Sequence, residues 1–185
     1  MPIISGASAA AGGVTVAFDT TVANSTTTII DTGANAIPAG FRVVQVYLHG
    51  RTDENFTTSD LQWRVNNDSG ANYDRVFMAG SAANFYHADE DKTATSWLID
   101  VPAATDPEPS SFAMNTIVVY NYDTTAAWKI GHCGETRCSS TGSFSGVIEE
   151  GIRWRSTAPI TRVSVTPLTA GVHFLAGTRM TVMLL

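Results

Sequence analysis

Residues 41–49 read Phe-Arg-Val-Val-Gln-Val-Tyr-Leu-His, and this stretch decides the fold class. Its apolar side chains recur mostly at every second position, which is the pattern of a β-strand with one face in a hydrophobic core. The same alternation returns in residues 61–65, Leu-Gln-Trp-Arg-Val, and in residues 160–166, which end at Pro167. The sequence therefore predicts an all-β protein.

Outward from residues 41–49, the chain divides into about nine to eleven short strands between turn-forming residues. The predicted strands are 13–18, 26–30, 41–49, 61–65, 73–77, 96–101, 112–122, 128–132, 147–155, 160–166 and 177–185. Residues 79–95 are less periodic and predict a short helix or a long surface loop. No βαβ alternation occurs, so we expect an antiparallel, jelly-roll-like β-sandwich.

Composition limits the classes of function. The 185 residues correspond to one domain, and charged residues make up only 15%, against about 25% in typical proteins. A net charge of −6 disfavours nucleic-acid binding, and the lack of a run of about 20 apolar residues disfavours a membrane span. The first 18 residues carry no charge, so we expect no secretory signal. So little charge suggests a subunit whose surface is partly covered by others.

The chain begins with a segment unlike the rest. Residues 1–13 are small, uncharged and rich in Gly and Ala, which predicts an N-terminal arm, followed by a single β-sandwich domain over residues 14–185. We expect the arm to lie against its own domain or against a neighbouring subunit. The candidate contact residues for a capsid or a neighbouring subunit are Pro2, Ile3, Ile4, Ala9 and Ala10.

The chain has two cysteines, Cys133 and Cys138, and both lie in the short segment of residues 132–138, which begins with His132. Two thiols do not make a disulfide framework, and tetrahedral zinc needs about four ligands. A loop-closing disulfide between them is one alternative. We favour the interpretation that both thiols are reduced.

No arrangement of residues predicts catalysis. Glu149 and Glu150 are adjacent, so on a strand they point to opposite faces and cannot form an acid–base pair. The acidic run Asp89–Asp91 is expected to be a solvated loop rather than a cation site, and the four histidines lie far apart in sequence. No nucleophile elbow, phosphate-binding loop or dinucleotide fingerprint occurs. We expect no enzymatic activity, no cofactor and no metal.

Two local patterns have both a structural and a ligand-binding interpretation. Residues 66–74, Asn-Asn-Asp-Ser-Gly-Ala-Asn-Tyr-Asp, supply oxygen ligands that would suit calcium, but a tight Asx-type turn with an ordered Tyr73 is favoured. The four tryptophans fall within predicted strands. They would suit stacking on sugars, but core packing is favoured; they are Trp63, Trp97, Trp128 and Trp154.

Four stretches together resemble structural proteins of tailed bacteriophages. Residues 61–74 resemble the RFNGDSGxNY segment of those proteins, and residues 154–165 resemble their WxSTAxITxIxL strand pair. Residues 37–46 are similar to an IPAGYxxLxI strand, and residues 174–184 to a closing NFAAGSxxxLYG strand. The chain departs from the family where it closes on Met-Leu-Leu and where Asn67 replaces a glycine.

The resemblance implies a jelly-roll module on the virion surface, as in capsid decoration (cement) proteins and in tail-fibre tips, which are usually trimers. We expect a homotrimer, made in the bacterial host cytoplasm, that binds and stabilises the shell of major capsid protein. The alternative is a tail-fibre or receptor-binding tip that contacts host-surface glycan. No catalytic residues accompany this family.

Overall fold

The structure, a computed structural model, describes residues 13–81, 87–103, 110–137 and 146–185. In these ranges every regular element is a β-strand and no helix is present. The strands are β1 (Thr15–Thr21), β2 (Ile30–Asp31), β3 (Val43–Gly50), β4 (Thr58–Val65), β5 (Tyr73–Ser81), β6 (His87–Ala94), β7 (Trp97–Pro102), β8 (Ala113–Tyr120), β9 (Lys129–Arg137), β10 (Gly146–Trp154), β11 (Val163–Pro167) and β12 (Arg179–Leu184).

The strands form two antiparallel sheets that pack as a sandwich. The larger sheet has the order β1-β12-β3-β8-β9-β10-β5-β6, and the smaller has the order β2-β11-β4-β7. Without β5, β6, β9 and β10, the remaining eight strands form two four-stranded sheets whose order is that of a jelly roll. The predicted jelly-roll-like β-sandwich is therefore confirmed.

Two antiparallel strand pairs, β5–β6 and β9–β10, extend the larger sheet beyond the jelly roll. β9 pairs with β8, and β10 joins the two pairs by an unbroken register with β5, from Gly146 opposite Ser81 to Trp154 opposite Tyr73. This register places Arg75 and Glu150, from different pairs, on the same inward side of the sheet. Four strands thus lie on one side of β8 and three on the other.

The core lies between the inner faces of the two sheets. Alternate residues of β3, β8 and β12 face inward, and β4, β7 and β11 cover them from the smaller sheet. The largest side chains of the core are aromatic: Trp63 and Trp97 are almost fully buried, and the ring of Tyr73 meets Trp97 edge-on at 5.1 Å between centroids. Rings of this size supply much of the apolar area that a sandwich buries.

The prediction of a helix or long loop over residues 79–95 is wrong for the part that the structure describes. β5 runs on to Ser81, and β6 occupies residues 87–94. β6 lacks apolar alternation because it is an edge strand at the far end of the extension, where only its last residue, Ala94, packs against the sandwich core. Its charged residues Asp89, Glu90, Asp91 and Lys92 are typical of a protected sheet edge.

The free edge of β7 is hydrogen-bonded by side chains of the larger sheet. Arg75 Nη1 donates to the carbonyl of Leu98 at 2.8 Å. The amide of Asp100 donates to Glu135 Oε2 at 2.8 Å, and the carbonyl of Asp100 accepts from Asn115 Nδ2 at 3.3 Å. These polar side chains therefore replace the ladder that a further strand would provide, and they tie the two sheets together.

Candidate interaction face

One side of the larger sheet is not covered by the smaller sheet, and we call it the outer face. It presents the residues that alternate with the buried ones on each strand, and the strand registers align them in rows across the sheet. Most rows carry a large apolar side chain that stays exposed. The exposed apolar residues of the face are Val16, Val76, Met78, Met114, Tyr120, Ile130 and Val147.

The charges on the outer face neutralise one another. The guanidinium of Arg179 contacts Asp19 at 2.6 Å across β12 and β1. The other pairs also join side chains within this face; they are Arg153 with Asp74, His132 with Glu149, and Lys92 with Glu90. Asp19, Asp74 and Glu90 each have an arginine or lysine partner, and Glu149 is paired with His132, which is charged only when it is protonated. The described part of the face therefore has no large excess of either sign, although the chain as a whole carries −6.

Hydrogen bonds between partners lower the pKa of two of these carboxyls. The hydrogen bond from Arg179 is the main cause of the lowered pKa of Asp19. Burial acts to raise the pKa of Asp74, but hydrogen bonds from the amide of Thr93 and from Arg153 outweigh it, and the net pKa is lowered. Both carboxyls therefore stay ionised, and paired, at neutral pH.

The face is broad and has a depression in its extended half. Eight strands about 4.8 Å apart, each of six to nine residues, give a face of about 800–1,000 Å². Gly151, on β10, has no side chain to fill the space between Val76 and Ile130, and an open depression of about 330 Å³ lies there. The area per partner in a standard protein–protein interface is also about 800 Å².

Beneath the extended half of the sheet, the inner side carries a buried polar cluster. Arg75 contacts Asp91 at 2.6 Å and Glu150 at 3.1 Å, and no group of the described residues donates a hydrogen bond to the buried Glu150 Oε2. Burial raises the pKa of Glu150 to about 7, although Arg75 acts to lower it. The side chains of Arg75 and Glu150 are 15% and 3% exposed, whereas that of Asp91 is 45% exposed, so the inner part of the cluster is covered by protein and suits a structural role.

The structure separates the residues that the sequence singled out. As predicted, Glu149 and Glu150 point to opposite sides of β10, the first exposed and the second buried. Residues 66–74 form the predicted Asx-type turn: Asp68 accepts hydrogen bonds from the amide of Gly70 and from Trp154 Nε1, and Tyr73 is fully buried. In the described ranges no three His, Cys, Asp or Glu residues are grouped as metal ligands would be.

Several predicted positions lie outside the described residues. Pro2, Ile3, Ile4, Ala9 and Ala10 fall in residues 1–12, so the contact role of the arm stays a prediction. Cys133 is a buried thiol on the inner side of β9, and burial raises its pKa well above the ordinary value. Cys138 is not among the described residues, so the alternative of a disulfide with Cys133 also stays open.

Three of the four tryptophans pack in the core, as the sequence favoured, and the fourth does not. Trp63, Trp97 and Trp154 are at most 3% exposed, whereas Trp128, immediately before β9, is 49% exposed. Sequence reasoning missed this difference because Trp128 has the same alternating neighbours as the others. A usable signal was its place directly after the turn-forming run of residues 123–127, at the margin of a sheet.

No helix in the described part of the chain is long and apolar enough to cross a membrane. Comparisons with protein-family models, with curated proteins and with solved structures gave no match to this chain. The outer face, with its apolar residues and mutually paired charges, is the best candidate for a functional site.

Proposed function

We propose that this chain is a structural virion protein of a tailed bacteriophage, a homotrimeric capsid decoration protein whose outer face lies on the shell of major capsid protein. The observation that carries the proposal is the outer face itself, which combines exposed apolar side chains with mutually paired charges. A monomer in water gains nothing from exposing such a face, but a subunit that is covered by another protein gains the burial of its apolar side chains.

The area and chemistry of the face fit a protein surface as its occupant. About 800 Å² per partner is what a specific, stable interface buries, and depletion of unpaired charge is typical of interface cores. The jelly-roll fold is one that viral capsid domains use, although fold alone does not define function. The resemblance of four sequence stretches to tailed-phage structural proteins points to the same class.

The first test is the number of copies in purified virions of the phage that encodes the chain, measured by quantitative gel analysis or mass spectrometry. Hundreds of copies per particle are expected for a decoration protein. A handful of copies would overturn the proposal in favour of a tail location. The molar mass of the free protein, from light scattering, should be three times 19.7 kDa.

The second test is site-specific. Met78→Asp and Val147→Asp place an uncompensated carboxylate on the outer face, and we expect them to abolish co-sedimentation with particles that lack the protein. Phe56→Asp is the matched control, because Phe56 is 66% exposed and lies between β3 and β4, outside the face. Undiminished binding by both face variants would rule out the outer face as the docking surface.

A further inference from the structure

An exposed aromatic pair lies where β8 and β9 meet at their connecting loop, and we call it the aromatic platform. Tyr120 ends β8 and is 58% exposed, and Trp128 precedes β9 and is 49% exposed. Together with Asn121 and Asp123 they line an open depression of about 450 Å³. Tyr120 belongs to the outer face, and Trp128 adds a second large exposed ring beside it in one depression, an arrangement that suits a ligand.

The indole ring of Trp128 is held in place by a cation over its face. The guanidinium of Arg153 lies 5.3 Å from the centroid of this ring, within the range of a cation–π interaction. Arg153 is in turn fixed by Asp74, whose Oδ2 accepts from Arg153 Nε at 2.8 Å. The orientation of the ring is therefore determined by β10 and β5 as well as by its own loop.

The loop below the platform is fixed by a buried lysine. Lys129 is 1% exposed, and its Nζ donates to the carbonyls of Thr124 at 2.5 Å, Ala127 at 3.1 Å and Thr157 at 3.2 Å. A buried ammonium group that is shared by three carbonyls holds the backbone between Tyr120 and Trp128 in one conformation. A site that is ordered before its ligand arrives loses less entropy on binding.

The polar groups of the depression are mainly acceptors and amides. The carboxylate of Asp123 is oriented by the backbone amide of Gly40, which donates to Oδ2 at 3.0 Å. The backbone of Asn121 is fixed by its amide, which donates to the carbonyl of Arg42 at 2.7 Å. These groups suit a ligand that presents hydroxyl donors beside an apolar surface, and a negative carboxylate disfavours phosphates and nucleic acids.

We propose that the aromatic platform binds a saccharide, with the C–H face of a pyranose ring against Trp128 and Tyr120. The sugar hydroxyls donate to the Asp123 carboxylate and exchange hydrogen bonds with the Asn121 amide. Such a site matches the general form of small-ligand sites, in which apolar rings supply contact area and a few fixed polar groups supply orientation. The platform lies at one end of the outer face, about 20 Å along the strands from Val147. The proposal therefore goes beyond attachment to a capsid and requires that the shell covers the Val147 end of the face and leaves the Tyr120 end accessible.

The test is a glycan array probed with the purified full chain, followed by calorimetric titration of the strongest oligosaccharide hit. We expect Trp128→Ala and Tyr120→Ala each to weaken affinity for that oligosaccharide about tenfold or more. Phe56→Ala removes an equally exposed ring elsewhere and should leave the affinity unchanged. Thermal unfolding of each variant verifies that it folds, and Trp128→Phe, which keeps an aromatic ring, should retain part of the affinity.

Binding to no glycan on the array would overturn the proposal. So would a hit whose affinity is the same in Trp128→Ala and in the wild-type chain, because the sugar would then bind elsewhere. Met78→Asp separates this result from the proposed capsid attachment: it should abolish binding to particles and leave saccharide affinity intact. The two proposals can therefore fail independently.

Discussion

Arg75 Nη1 lies 3.1 Å from Glu150 Oε1, and this contact joins β5 to β10 across 75 residues of sequence. The same guanidinium holds Asp91 of β6 and the carbonyl of Leu98 of β7. One side chain thus connects the two added strand pairs to each other and to the smaller sheet. The extension is held by a buried polar group as well as by its backbone ladder.

Replacing Arg75 with Met should destabilise the protein, because Glu150 is left buried without its cation. Removal of one partner of a buried ion pair typically costs about 3–5 kcal/mol of unfolding free energy. Urea denaturation at pH 8 measures the loss. Arg179→Met is the control: its pair with Asp19 is largely exposed and screened by water, so its effect should be much smaller than that of Arg75→Met. Similar losses in both variants would contradict the special role of Arg75.

Glu150→Gln should alter how stability depends on pH. The ordinary pKa of a glutamate is about 4.3, and the folded value is about 7, so in this window the folded state keeps a proton that the unfolded state releases. As the pH rises from about 4.5 to 7, the free energy of unfolding of the wild-type protein therefore falls. Glu150→Gln has no such proton to release and avoids this fall. We expect the variant to gain up to about 3 kcal/mol relative to wild type across this range.

Urea titrations at several pH values measure that gain. Glu149→Gln is the matched control, because the neighbouring residue is exposed and pairs with His132 on the opposite side of the strand. A stability difference between wild type and Glu150→Gln that stays constant from pH 4.5 to 7.5 would show that Glu150 does not titrate there.

Gly131→Ala should be strongly destabilising. A Cβ at this position of β9 would lie 2.2 Å from the carbonyl oxygen of Val118 on β8, so one strand has to move. Overpacking of this kind costs about 1–3 kcal/mol. Gly80→Ala is the control, since a Cβ there meets no atom of the described residues within 4 Å. In thermal unfolding, Gly131→Ala should have a lower midpoint than Gly80→Ala. Equal midpoints would refute the close approach of β8 and β9.

The thiol of Cys133 should be inert in the folded protein. It is buried and its pKa is raised, so little reactive thiolate is present at neutral pH. In a Cys138→Ser variant we expect a thiol reagent to label nothing in the native state and one group in urea. Labelling of denatured, unreduced wild type then shows whether Cys133 and Cys138 form a disulfide. Two labelled thiols indicate the reduced pair, and no labelled thiol indicates a disulfide.

The strand pattern was largely predictable because most strands bury one face and so show apolar alternation. β6 was missed because an edge strand that contributes only Ala94 to the core has no such pattern. The order of strands in the sheets was not predictable beyond the jelly-roll class, since pairing of β10 with β5 depends on contacts between distant residues. Arg75 and Glu150 carry no local signal of their contact, because each looks like an ordinary strand residue in its own segment.

The candidate site was less predictable than the fold. The sequence indicated low charge but could not show that Asp19 and Arg179, or Asp74 and Arg153, neutralise each other, because each pair joins strands far apart in the chain. Nor could it distinguish exposed Trp128 from buried Trp154. Exposure follows from the position of a residue relative to the second sheet, which is a property of the tertiary structure.

The side-chain hydrogen bonds along β7 have a consequence for how the protein behaves at high concentration. Amyloid-like growth begins when an open strand edge accepts the backbone of another chain. The amide of Asp100 and the carbonyl of Leu98 are already occupied by Glu135 and Arg75, so a foreign strand has to displace buried ionic groups before it can pair. The β7 edge of the smaller sheet is therefore protected against the addition of a strand from another copy when the chains are crowded.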